Sequence, residues 1–151
     1  MQTIQTPEVR LAALGLQLPP LRAPHGNYVP GLRVGNLFFT SGQGVDGCYG
    51  KIGGERSLQE GYEAAQQAAL NLLSVLKAEF GELSRVTRIV KMLAMINCTE
   101  DFTQLPQVAD GASDLLREVF GDQGKHARSA VGMAQLPSGT IIEIELIVEV
   151  E

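Results

Sequence analysis

The closing stretch TIIEIELIVEVE, Thr140 to Glu151, restricts the possible folds more than any other part of the chain. Read as extended backbone, it places Ile142, Ile144, Leu146, Val148 and Val150 on one side and Glu143, Glu145, Ile147 and Glu149 on the other. A strand with one fully apolar side must lay that side against a second layer. Two segments have the period to supply it. Ser57 and Glu60 have the spacing of a capping box, and Tyr62, Ala65, Ala69, Leu72, Leu73, Leu76 and Phe80 then follow a helical repeat as far as Gly81. Leu105, Val108, Ala112, Leu115, Leu116 and Val119 form a second helical face that stops at Phe120-Gly121.

Between these helices VTRIVKMLAMIN, Val86 to Asn97, is rich in β-branched and apolar residues and predicts a long central strand. Upstream, LFFTSGQG predicts a short strand from Leu37 that breaks at Ser41-Gly42, and Gly44 to Gly54 reads as a loop. Pro7 to Leu14, ended by Gly15, predicts a short opening helix. Two closing strands joined by LPSGT read as a hairpin. The sequence of strands, helix, strand, helix and hairpin predicts an α+β architecture with both long helices on one face of a sheet.

At 151 residues and 44% apolar composition, one domain over 1–151 with a short N-terminal helical extension is expected, without metal or disulfide staples. The formal charge is −5 and the 12 Lys and Arg are scattered along the sequence, which argues against a nucleic-acid or anionic-membrane surface. Cys48 and Cys98 lack a C-x-x-C spacing and read as reduced thiols of a cytoplasmic protein. The opening MQTIQTPEVRLAALGL lacks the basic leader and apolar core of a signal peptide, and no apolar run reaches the length of a membrane span.

Arg128 is the first candidate for chemistry. On an extended strand it shares a side with Ala130, Gly132 and Ala134, so a cation stands at the edge of a shallow recess that something must fill. One reading pairs Arg128 with a structural carboxylate; the other uses its planar fork to hold a substrate carboxylate. Glu143 is the second candidate. It is the innermost acid of the last strand, so it is either solvated like its neighbours or desolvated enough to orient a water. His25 and His126 have no metal-ligand spacing, and neither cysteine has a local partner that would make it a nucleophile.

Three segments together are similar to one known family. YVPGLRVGNLFFTSGQ from Tyr28, AALNLL in the first long helix, and ARSAVGMAQLPSGTIIEIE from Ala127 to Glu145 resemble the RidA (YjgF) family of reactive-imine deaminases. The resemblance implies a chorismate-mutase-like fold, a homotrimer with ligand clefts between subunits, and no cofactor. It also implies that Arg128 holds the substrate carboxylate, that Glu143 positions a hydrolytic water, and that Tyr28, Ser41 and Gly42 line the cleft. Ala130 stands where typical deaminases of the family carry cysteine, and Ser113 falls near the position of a cleft asparagine.

Three functions follow as expectations. The first is hydrolysis of 2-enamino or 2-imino acids to 2-keto acids and ammonia. The second is a trimeric protein that binds a small carboxylate without turnover. The third, an endoribonuclease or translation inhibitor as the family has also been labelled, is disfavoured by the acidic charge and by an aromatic content of 5%.

Overall fold

The computed structural model describes residues 5–151, in the order α1 (Pro7–Ala13), β1 (Gly31–Val34), β2 (Leu37–Thr40), α2 (Leu58–Phe80), β3 (Val86–Asn97), α3 (Leu105–Phe120), β4 (Ala127–Met133) and β5 (Ile142–Val150). Local chemistry sets the helix limits. Thr6 accepts the Val9 N–H through its hydroxyl and Pro7 occupies the first turn, so α1 starts there. At α2 the capping box is complete: Ser57 Oγ accepts the Glu60 N–H at 3.1 Å, and the Glu60 carboxylate accepts the Ser57 N–H at 3.0 Å. Gly81, at φ +81°, ends the same helix in a conformation that a side chain would resist.

The five strands form one mixed sheet in the order β1-β2-β5-β3-β4, the α+β, chorismate-mutase-like arrangement with two long helices on one face. β5 runs antiparallel to both of its neighbours, while β4 lies parallel to β3 on the outer edge. The closing strands are therefore not a hairpin. β3 stands between them, and residues 134–141 carry the chain past its end. The reason is the burial of β3: Ile89, Met92, Ala94 and Ile96 are wholly enclosed, and an edge position would strip one flank of that strand.

One sheet face, carrying Met92, Ala94, Ile96, Ile142, Ile144 and Leu146, is closed by α2 and α3 through Leu72, Leu73, Leu76, Val108 and Leu116. The other face has no helix over it. The strand register brings Leu32, Phe39 and Ile147 into one row there, and Met95, Glu143 and Val131 into another. Phe39, Leu32 and Val131 are exposed and form an apolar band on this face. Among the described residues, no helix is long and apolar enough to cross a membrane.

The two long helices cross with almost no clearance at Gly111. A Cβ built there would fall on the carbonyl oxygen of Tyr62 in α2, which is backbone and cannot rotate away. Gly111→Ala is therefore expected to force the helices apart and to cost about 3 kcal/mol, the upper range for overpacking, read as a lower urea midpoint with an unchanged slope. A loss below about 1 kcal/mol would mean that the crossing is looser than drawn.

Candidate active site

Glu143 leaves β5 on the open face of the sheet. Beyond β2 the chain bends at Ser41-Gly42 and rejoins β5, where Gln43 donates its N–H to the Ile144 carbonyl at 2.8 Å and accepts the Ile144 N–H at 3.0 Å. That path presses the backbone of Gly42 against the Glu143 carboxyl. A Cβ at Gly42 would lie 2.8 Å from Glu143 Cδ, so any larger residue would displace the Glu143 side chain. A cavity of about 260 Å³ opens here, and Arg22, Tyr28, Gly42, Gln43, Tyr49 and Glu143 contribute to its wall.

Glu143 is half-buried, and burial pushes its carboxyl above the usual glutamate range; the Glu145 charge adds to the rise and Arg22 opposes it. Among the described residues no protein donor is hydrogen-bonded to this carboxylate. Arg22, by contrast, makes four hydrogen bonds. It grips both oxygens of Asp46, from Nε at 3.1 Å and Nη2 at 2.9 Å, and its Nη1 donates to Gln43 Oε1 and to the Gly44 carbonyl. The arginine thus ties the segment before β1 to the loop after Gly42 and closes one side of the cavity. Tyr28 accepts the His25 N–H at 3.1 Å through its phenol oxygen. Ser41 does not line the cavity: its hydroxyl donates to the Val29 carbonyl at 2.6 Å and holds the segment that carries Tyr28.

Arg128 lies on the opposite face. In β4 it is level with the enclosed Met92, and its guanidinium reaches α3 at the edge of the sheet. Nη1 donates to Asp110 Oδ1 at 2.8 Å and to Ser113 Oγ at 3.0 Å, and Nη2 reaches the Pro106 carbonyl at 3.4 Å. The structural carboxylate that the sequence left open is therefore present. Of the five N–H groups, the Nε–H and one on Nη2 are without a bond among the described residues, and these two share one edge of the fork. The Asp110 side chain is 50% exposed, so the ion pair is a weak competitor for a ligand.

Behind Arg128 stands His126. Its Nδ1 is 2.7 Å from the Gly124 carbonyl, which can only accept, so Nδ1 carries the proton. Burial holds the ring below the usual histidine range, although the Gly124 contact opposes this, so the ring is neutral near pH 7. Nε2 then has a free lone pair and accepts a hydrogen bond from the Ser113 hydroxyl at 2.8 Å, which turns the lone pairs of Ser113 towards Arg128.

The row of small residues beside Arg128 is covered from within the chain only in part: Ala130 is half-buried, while Gly132 and Ala134 stay exposed. Ala130 packs against the core, and a Cβ at Gly132 would lie 2.8 Å from Cys98 Sγ and within contact of Leu105. Those residues are small because the segment leading into α3 lies directly on them. The structure thus brings Tyr28, Gly42 and Glu143 together, and separately Arg128 and Ser113. The two groups face opposite sides of the sheet.

The family model described as "YjgF/chorismate_mutase-like, putative endoribonuclease" matches residues 8–150. The chain belongs to the YjgF family. The YjgF relative TCP17 of Trypanosoma cruzi is 43% identical over 145 residues, covering 92% of this chain and 91% of its own length. A 2-iminobutanoate/2-iminopropanoate deaminase of Dermatophagoides farinae is 28% identical over 141 residues, with 90% and 95% covered. Among solved structures, protein Atu1372 of Agrobacterium tumefaciens, of unknown function, superposes with a TM-score of 0.90 at 36% identity, over 96% of this chain and 92% of that one. TdcF of E. coli, solved with bound serine, gives 0.62 at 26% identity, over 87% and 94%.

Within this YjgF chain, sequence reasoning passed over Arg22, Asp46 and Gln43, which shape the cavity beside Glu143. Their only signal was an arginine in the otherwise apolar, proline-rich LPPLRAPHGNYVPG, which has no periodicity to show where it points. His126 was dismissed as a metal ligand, and its contact with Ser113 joins two residues that sit on different elements.

Proposed function

We propose that this protein is a cofactor-independent hydrolase that converts reactive 2-enamino or 2-imino acids to 2-keto acids and ammonia. The observation that carries this reading is Glu143: a half-buried carboxylate in the wall of a cavity, with raised proton affinity and no protein donor among the described residues. Such a group can take a proton from water as the water oxygen bonds to C2 of the imine and the C–N double bond opens. Glu143 returns that proton to the nitrogen to complete the carbinolamine, then takes the hydroxyl proton as the C=O bond forms and passes it to the nitrogen, which leaves as ammonia. The substrate carbon is already electrophilic, so a placed water and a held carboxylate suffice.

Arg128 supplies the second requirement through its unbonded Nε–Nη2 edge, with Ser113 and Ala130 beside it; Tyr28, Gly42 and the Ser41-anchored segment bound the water side. Since Arg128 and Glu143 face opposite sides of one sheet, the two meet on one substrate only when a second copy of the chain brings its own. A homotrimer satisfies this and covers the band of Leu32, Phe39 and Val131. The deaminase relative and the serine bound by TdcF support a small amino- or keto-acid ligand. Two free thiols, Cys48 and Cys98, suit a reducing cytoplasm, and α1 packs through Leu11 as part of one domain over 1–151.

The test is ammonia release from 2-aminoacrylate generated in place, measured against the spontaneous rate, with the mass of the same sample read by light scattering. Acceleration by a particle three times the 16.2 kDa chain is expected. Release at the spontaneous rate with retained 2-oxobutyrate affinity would leave a carboxylate-binding protein instead, and a monomer mass would remove the shared cleft.

A further inference from the structure

Three of the 12 Lys and Arg side chains, scattered in the sequence, converge on one recess beside β4. Its volume is about 230 Å³, and its lining is Ser113, Arg117, Lys125, His126 and Arg128, with no carboxylate among them. The fold makes this cluster. Arg117 stands one helical turn after Ser113 on α3, while Lys125, His126 and Arg128 arrive along the chain as it enters β4.

Two acids bear on these cations from outside the lining. Asp110 holds Nη1 of Arg128, and Asp122 lies 3.3 Å from Lys125 with both side chains exposed. Arg117 takes part in none of the salt bridges among the described residues. His126 is neutral because burial outweighs its bond to Gly124, so the recess holds three fixed positive charges against two peripheral negative ones. That excess stands out on a chain of net charge −5.

We propose that this recess takes the distal carboxylate of the substrate, so that the preferred substrates are dicarboxylic 2-imino acids, those formed from acidic amino acids. The inference rests on the reading of Arg128 as the anchor of the 2-carboxylate. With that group on the Nε–Nη2 edge, Arg117 and Lys125 are the cations left in the same recess for a second anion. A neutral side chain would leave both cations unmatched. A distal carboxylate converts them into charge-assisted contacts, sensitive to salt because the recess is open.

Calorimetry on the intact protein with 2-oxoglutarate, 2-oxobutyrate and inorganic phosphate tests this. At low salt 2-oxoglutarate is expected to bind about tenfold or more tighter than 2-oxobutyrate, and the gap should shrink as salt is added. Arg117→Gln and Lys125→Gln, both at exposed side chains, should each narrow the ratio between the two keto acids, with unchanged thermal melts showing that the fold is kept. Equal affinities for the two keto acids, or a ratio untouched by both substitutions, would overturn the dicarboxylate preference and leave the deaminase reading standing. Phosphate binding as tight as 2-oxoglutarate would likewise overturn it, by showing a site for any small anion. Binding of neither keto acid would take down both readings together.

Discussion

Glu143→Gln is expected to lower turnover of 2-aminoacrylate by about a hundredfold or more while keto-acid affinity changes little. Glutamine keeps the length and one acceptor oxygen, and it still fits against Gly42, so the cavity keeps its shape. What disappears is the negative charge that draws a proton from water. The pH profile gives an independent reading. Burial raises the Glu143 pKa above the usual glutamate range, and the reactive form is the ionised one, so wild-type turnover should fall as pH drops through that raised value. In the glutamine variant this acidic limb should vanish. Full activity in the variant, with the limb intact, would move the general base elsewhere.

Mixing two dead variants should restore activity. Arg128→Ala removes the carboxylate anchor, Glu143→Gln removes the base, and each alone should be inactive. If every cleft takes its arginine from one subunit and its glutamate from the next, unfolding and refolding an equal mixture yields trimers in which about a quarter of the clefts carry both native residues. Activity near that fraction of wild type is the expected result, measured by ammonia release after co-refolding, with each variant refolded alone as control. No recovery from a mixture that forms trimers would mean that one chain must supply both groups. The strand register opposes this: Arg128 is level with Met92 on the helix-covered face, and Glu143 is level with Met95 on the open one.

Much of this was legible in the sequence because periodicity reports which side of an element is buried. The limits of α2, β3 and α3 follow from capping signals and apolar spacing, and the alternation of the last strand separates Ile142, Ile144 and Leu146 from Glu143. Periodicity does not report which strands are neighbours. LPSGT looks like the tip of a hairpin, yet β3 lies between the strands it joins, since pairing depends on which strand most needs two flanks. The same limit hid the surroundings of Arg128. Asp110 and Ser113 are three residues apart on α3, so they share a face, but nothing local says that this face meets the edge of β4. Arg22 was hidden for a different reason: an irregular segment has no repeat from which direction can be read.

The last strand in the sequence, β5, is also the middle of the sheet. It runs between β2 and β3, so without β5 the strands are two unconnected pairs, β1 with β2 and β3 with β4. Its contacts with β2 join residues more than a hundred positions apart, Phe38 with Val148 among them. Closing so large a loop is entropically costly and is rewarded only when β5 docks between the two pairs. On the ribosome the consequence is sharper still. Both pairs leave the exit tunnel before β5 does, so Glu143 and its cavity wall come together only when β5 has followed them.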